Sequence, residues 1–86
     1  MDQQKIRVYG ALWCGDCRRT KKFFDEYGIS YQWIDTDQDK DAEHYVRLVN
    51  NGKRIIPTII FGDGSILVEP TNRELANKLK ITTGES

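Results

Sequence analysis

The chain has only two cysteines, two prolines, one histidine and one methionine among its 86 residues. Two cysteines separated by two residues cannot form the distributed bridges of a disulfide scaffold. A bridge between them closes so short a loop that it removes little unfolded-chain entropy. A single histidine leaves few further ligands for a tetrahedral structural metal. Net charge is also absent, since 13 basic and 13 acidic residues balance. The basic footprint of a nucleic-acid binder is therefore missing. No apolar run approaches the ~18 residues that suggest a membrane span. The opening MDQQKIRVYG is polar and then strand-like, unlike a signal peptide. The expectation is a cytoplasmic monomer without nucleic-acid or membrane partners.

What is present suits a small folded unit. Hydrophobic residues make up 38% of the chain and charged residues 30%, which argues against disorder. A chain this short buries only about 60% of its unfolded surface, so one domain over residues 1–86, ordered over about 5–80, is expected. KIRVY from Lys5 to Tyr9 places Ile6 and Val8 on one face of a strand, which Gly10 should end. From Cys14 to Tyr27 the spacing of Cys17, Thr20, Phe24 and Tyr27 predicts a helix closed by Gly28. YQWID at Tyr31–Asp35 reads as a second strand. Ala42, Tyr45, Val46 and Val49 trace a second helix that stops at NNG. IIPTIIF at Ile55–Phe61 predicts a buried strand with Pro57 at its entrance, and GDG turns it back into Ser65–Val68. Thr71 to Glu74 has capping-box spacing ahead of a terminal helix, and the tail from Thr82 to Ser86 should fray. The order β-α-β-α-β-β-α puts the first two strands parallel and the last two in a hairpin.

Chemistry concentrates in LWCGDCRR, Leu12 to Arg19. A C-x-x-C beside a βαβ pattern reads as a thiol–disulfide redox pair. Cys14 falls at a helix N-terminus, where free N–H groups and the helix dipole favour an anion and proteins lower thiol pKa values. Cys17 lies one turn further on the same face, within reach of a mixed disulfide on Cys14. Cys14 is thus the candidate nucleophile and Cys17 the resolving thiol. Half of a metal site is the competing reading, and the ligand supply disfavours it. Arg18 and Arg19, with Lys21 and Lys22, either raise the potential around a thiolate or form a solvated helix face.

With WCGDC, RIIPTIIF and FGDGSILVEPTNREL in that order, the chain resembles a glutaredoxin from about Ile6 to Leu79, and more narrowly the mycoredoxin-type glutaredoxin-like proteins. The resemblance implies a thioredoxin fold, an α/β class with a four-stranded mixed sheet flanked by three helices. It implies a thiol–disulfide oxidoreductase in electron transport and cell redox homeostasis. Its substrates would be protein disulfides or mixed disulfides. Glutathione or mycothiol would be the co-substrate, with no permanently bound cofactor or metal. It also implies a cis Ile56–Pro57 peptide facing the active cysteine, so that backbone groups of Ile56 and Thr58 guide an extended substrate. From the residues alone, a trans proline opening an edge strand fits instead. Thr71 and Asn72 match the loop that holds a γ-glutamyl carboxylate, through N–H groups at a helix start. A plain cap by Thr71 and Glu74 is compatible with that role. Trp13 either packs over the cysteine pair or forms a docking surface.

The chain departs from glutaredoxins at Gly15-Asp16, where Pro-Tyr is typical. It has no lysine in Gly10–Trp13, and it carries Val68-Glu69-Pro70 where paired glycines are usual. These departures point away from glutathione. Two other readings stay open. One is a dithiol redoxin dedicated to a protein such as ribonucleotide reductase and recycled by a flavoprotein disulfide reductase. The other is a metal or iron–sulfur binding module using Cys14 from two subunits.

Some signals fade on inspection. Asp35, Asp37, Asp39 and Asp41 alternate, yet Lys40 and Val46 stand where a calcium loop needs glycine and glutamate. Capping of the second helix explains the acids better. His44 lies off the apolar stripe and is expected to be exposed, while Trp33 and Tyr31 read as packing residues. Asp16 suits a first helical turn but opposes an adjacent thiolate. Asp16→Asn should therefore give more Cys14 thiolate at a given pH, read by its ultraviolet absorbance. An unchanged or smaller signal overturns this.

Overall fold

Alternation along four short strands sorts the apolar side chains into two layers. The computed structural model describes residues 5–81; the tail expected to fray lies outside them. The elements are β1 (Arg7–Gly10), α1 (Gly15–Glu26), β2 (Gln32–Asp35), α2 (Lys40–Val49), β3 (Thr58–Ile60), β4 (Ile66–Val68) and α3 (Asn72–Leu79). The expected order is found. The strands form one mixed sheet ordered β2-β1-β3-β4. β1 is parallel to β2 and antiparallel to β3, and β3 pairs antiparallel with β4.

Because successive strand residues face opposite ways, the sheet carries two cores. Ile6 and Val8, with Ile59 and Phe61, pack on Phe23 and Phe24 of α1 and on Leu75 and Ala76 of α3. Tyr9 and Ile60 face Ala42 and Val46 of α2, joined by Ala11, Cys17 and Ile56. Burying a side chain such as Phe24 or Ile59 contributes ~1.5–3 kcal/mol. The helix ends follow their sequence signals. Gly28 closes α1 in the left-handed region at φ 65°. Asp39 caps α2 by accepting the Ala42 N–H at 3.1 Å. Thr71 and Glu74 form the full capping box of α3.

Each strand is shorter than its sequence pattern suggests. β3 begins at Thr58 rather than Ile55, because Pro57 has no N–H for the ladder. Gly10 ends β1 as expected, as its last residue, and pairs with Asp35. A Cβ at Gly10 would lie 2.6 Å from the Cys17 Sγ and 2.8 Å from Trp33 Cη2. The glycine is therefore a close-approach position that lets α1 and β2 side chains close over the end of β1. Gly10→Ala should lower stability by ~1–3 kcal/mol through overpacking, seen as a lower urea midpoint. An unchanged midpoint overturns this.

Candidate active site

Cys14 is the N-cap of α1, with an extended backbone at φ −82° and ψ 123°. Its N–H donates to the Ala11 carbonyl at 3.2 Å, and its own carbonyl accepts from Arg18 at 3.1 Å. The side chain caps nothing and is partly exposed. The N–H groups of Gly15, Asp16 and Cys17 have no acceptor among the described residues. The first turn thus presents donors and the positive end of the helix dipole beside Cys14.

Cys17 is fully buried against Tyr9, Ala11 and Ile56. Burial pushes its thiol up to about 12, against an opposing hydrogen bond from the Ala11 backbone and with a further rise from Cys14 and Asp16. Both cysteines are free thiols. One is reachable and sits at a helix start, while the other is shielded and stays protonated.

Charges around the pair are largely matched within the chain. Asp16 is exposed and lies 3.6 Å from Arg19. Arg19 also donates to the Asn72 Oδ1 at 2.7 Å and to the Pro70 carbonyl at 2.9 Å. It therefore ties α1 to the loop before α3 besides facing the acid. Arg18 donates to the Leu12 carbonyl at 3.0 Å. The Thr71 N–H is taken by Glu74 at 2.8 Å, so at the start of α3 the N–H groups without a partner among the described residues are those of Asn72 and Arg73.

The loop before β3 completes the surroundings. Ile56–Pro57 is cis, and the Pro57 carbonyl accepts the Glu69 N–H at 2.8 Å. The Ile56 N–H and carbonyl have no partner among the described residues. Thr58 sits inside the sheet between Tyr9 and Val68. Its hydroxyl donates to the Ile55 carbonyl at 2.7 Å and accepts from Asn50 at 3.2 Å.

Trp13 is 62% exposed, and its partners were not foreseen. Its indole N–H donates to the Asp37 Oδ2 at 2.7 Å. Arg54 donates to the other Asp37 oxygen at 2.7 Å, and its guanidinium carbon lies 5.7 Å from the centre of the Trp13 ring. Asp37 is therefore not a helix cap, in contrast to Asp39; it joins residues 24 and 17 positions away. No local spacing announces such a contact. Trp33 and Tyr31 do pack: the Lys21 Nζ lies 4.3 Å from the Trp33 ring centre, and the Tyr31 and Phe24 rings are 5.1 Å apart. His44 is exposed. Among the described residues no three His, Cys, Asp or Glu side chains group as metal ligands. A cavity of about 770 Å³ lies at the other end of the sheet, lined by Ile6, Tyr27, Ile29 and Leu79, and holds neither cysteine.

A family model described as Glutaredoxin matches residues 6–66. Mycoredoxin 1 of Corynebacterium glutamicum is 37% identical over 75 residues, 87% of this chain and 92% of that protein. Among solved structures, the glutaredoxin from Methanosarcina mazei superposes with a TM-score of 0.75 at 26% identity, over 90% of this chain and 79% of that one. The glutaredoxin-like protein NrdH-redoxin from Escherichia coli gives 0.72 at 25% identity, over 87% and 93%.

The buried thiol has a pH signature. An unfolded cysteine loses its proton near pH 9, whereas folded Cys17 holds it to about pH 12. Above pH 9 the unfolded state then binds fewer protons, so the reduced protein loses stability as pH rises through that window. Tyr9 and Tyr31, also raised by burial, act in the same direction. Urea unfolding at pH 9 to 11 should therefore show a steeper loss in wild type than in Cys17→Ala; equal slopes overturn this.

Proposed function

The chain belongs to the glutaredoxin family, and on that premise we propose that it is a thiol–disulfide oxidoreductase with Cys14 as nucleophile and Cys17 as resolving thiol. The observation that carries this reading is the asymmetry of the pair: Cys14 is accessible at the start of α1, while Cys17 is buried with its thiol held protonated. The attacking species in thiol exchange is a thiolate. In the first step the Cys14 thiolate attacks a mixed disulfide. The substrate S–S bond breaks, the protein thiolate leaves and takes up a proton, and the small thiol becomes linked to Cys14. A second small thiol then attacks that bond, leaving as an oxidised disulfide and returning Cys14. Alternatively Cys17 gives up its proton and displaces the small thiol, forming a Cys14–Cys17 disulfide.

The unpartnered Ile56 backbone groups beside Pro57, with Thr58 behind them, support a strand-like grip on the substrate. Trp13 and Asp16 border the same approach. At the start of α3, the loop of Thr71 and Asn72 offers its free N–H groups to the far end of a small thiol. Arg18 and Arg19 shape the field around Asp16. We take the protein to act as a single domain over residues 1–86, a monomer in the cytoplasm, where thiols are kept reduced. Its substrates are disulfide-containing proteins or mixed disulfides, and its co-substrate is a low-molecular-weight thiol. Mycothiol is preferred to glutathione because the similarity to Mycoredoxin 1 and the acid in the cysteine motif both favour it.

Likeness to NrdH-redoxin, described with a thioredoxin-like activity profile, supports a second reading. In it the dithiol serves one protein, such as ribonucleotide reductase, and thioredoxin reductase recycles it. Turnover with NADPH and that reductase, without any small thiol, selects this route. For the main reading, Cys14→Ser should reduce turnover of a glutathione or mycothiol mixed disulfide to background. Cys17→Ser should retain it and accumulate the Cys14-linked intermediate. Full activity in Cys14→Ser overturns the assignment.

A further inference from the structure

Trp13 directly precedes the nucleophile and projects into solvent, so whatever stands behind its ring helps decide what approaches Cys14. That support is a charged assembly. Asp37 is itself braced, its N–H donating to the Asp35 Oδ1 at 2.8 Å. One of its carboxylate oxygens holds the Trp13 indole, and the other holds Arg54. Arg54 is three-quarters buried, at 23% side-chain exposure. It also donates to the Thr36 hydroxyl at 3.2 Å, and its Nε lies 3.5 Å from the Glu43 Oε2. Glu43 is further anchored by Arg47 at 3.1 Å. The guanidinium next to the Trp13 ring thus faces two carboxylates of its own chain.

A free guanidinium is the group best suited to a forked grip on a carboxylate. Here that grip is filled from within. On the other side of the cysteine pair, Arg19 is matched by Asp16, Asn72 and Pro70. Arg18 has no carboxylate partner among the described residues, but it is drawn to the Leu12 carbonyl. A carboxylate arriving over Trp13 would meet Asp37 and an already occupied Arg54.

We propose that Asp37 and Glu43 are specificity-determining positioning residues: by occupying Arg54 they deny it to a substrate carboxylate and hold Trp13 as an uncharged aromatic rim, so that the small thiol accepted beside Cys14 is one without carboxylates. This deepens the reading of Cys14 as nucleophile and rests on it. The step is the exchange already described, in which the small-thiol sulfur bonds to Cys14 as the protein thiol leaves; only the rate for each small thiol changes.

The test uses the reduced full chain and one fluorescent peptide disulfide-linked either to glutathione, which carries carboxylates, or to 2-mercaptoethanol, which carries none. Release of the peptide thiol is followed in a single turnover, and the ratio of the two rates is compared between variants. Asp37→Ala should raise the glutathione-to-mercaptoethanol ratio about fivefold, the scale of one partly exposed ion pair. Glu43→Gln should raise it in the same direction, and Asp37→Glu should keep it near wild type. Adding Arg54→Ala to Asp37→Ala should return it to the wild-type value. A ratio unmoved in Glu43→Gln overturns the proposal even if Asp37→Ala does not fold, and so does a raised ratio that survives the loss of Arg54. If wild type releases peptide from neither substrate, the nucleophile assignment itself fails, a result distinct from an unmoved ratio.

Discussion

The close approach of the Cys17 thiol to the α-carbon of Gly10 is the contact around which the site is arranged. Sγ sits where a side chain on β1 would begin, with the edge of the Trp33 ring beside it. Only a residue without Cβ lets the first turn of α1 settle this low on the end of the sheet. Once it does, the two cysteines become different reagents. Cys17 is enclosed by Tyr9, Ala11 and Ile56 and keeps its proton, while Cys14 stays at the helix start with unpaired N–H groups around it. The same enclosure brings Ile56, and with it the Pro57 loop, to the cysteines. One packing constraint therefore links β1, α1, β2 and the entrance to β3.

Charge follows a second pattern, pairing within the chain. Asp16 faces Arg19, Asp37 and Glu43 face Arg54, and Asp63 faces Lys78. The Asp63 carboxyl is held well below the usual range by Lys78 and by hydrogen bonds from Ser65. Exposed pairs of this kind add little to stability, so their importance here is geometric. Arg19 ties α1 to the loop before α3, Lys78 ties α3 to the β3–β4 turn, and Arg54 fixes the support of Trp13. The acid between the cysteines, an electrostatic anomaly when only its neighbours in the chain are considered, is one member of a set of matched charges.

Much of the fold was legible because its signals are local. Ile6 and Val8 alternate, Asp39 and Thr71 stand at cap positions, and Gly28 follows the last turn of α1. Each acts within a few residues, and each element formed where expected. What the local signals leave out are the places where a distant group intervenes. Gly10 does end β1, but the space beside it is taken by the Cys17 thiol and the Trp33 ring, which the strand signal does not announce. Asp37 looked like a cap because it stands among acids before a helix, yet its carboxylate is claimed by an indole and a guanidinium from elsewhere.

The sequence by itself determined the order of elements, the two apolar faces of the sheet and the placing of a cysteine pair at a helix start, since hydrophobic period and capping chemistry operate over short chain distances. Tertiary structure alone decided which thiol is buried, where the arginines near the cysteines direct their donors, and that Trp13 rests on Asp37 and Arg54. Those outcomes depend on which side chains from separate elements reach the same few ångströms. Burial, proton affinity and ion pairing are set there, by neighbours in space that no spacing along the chain records.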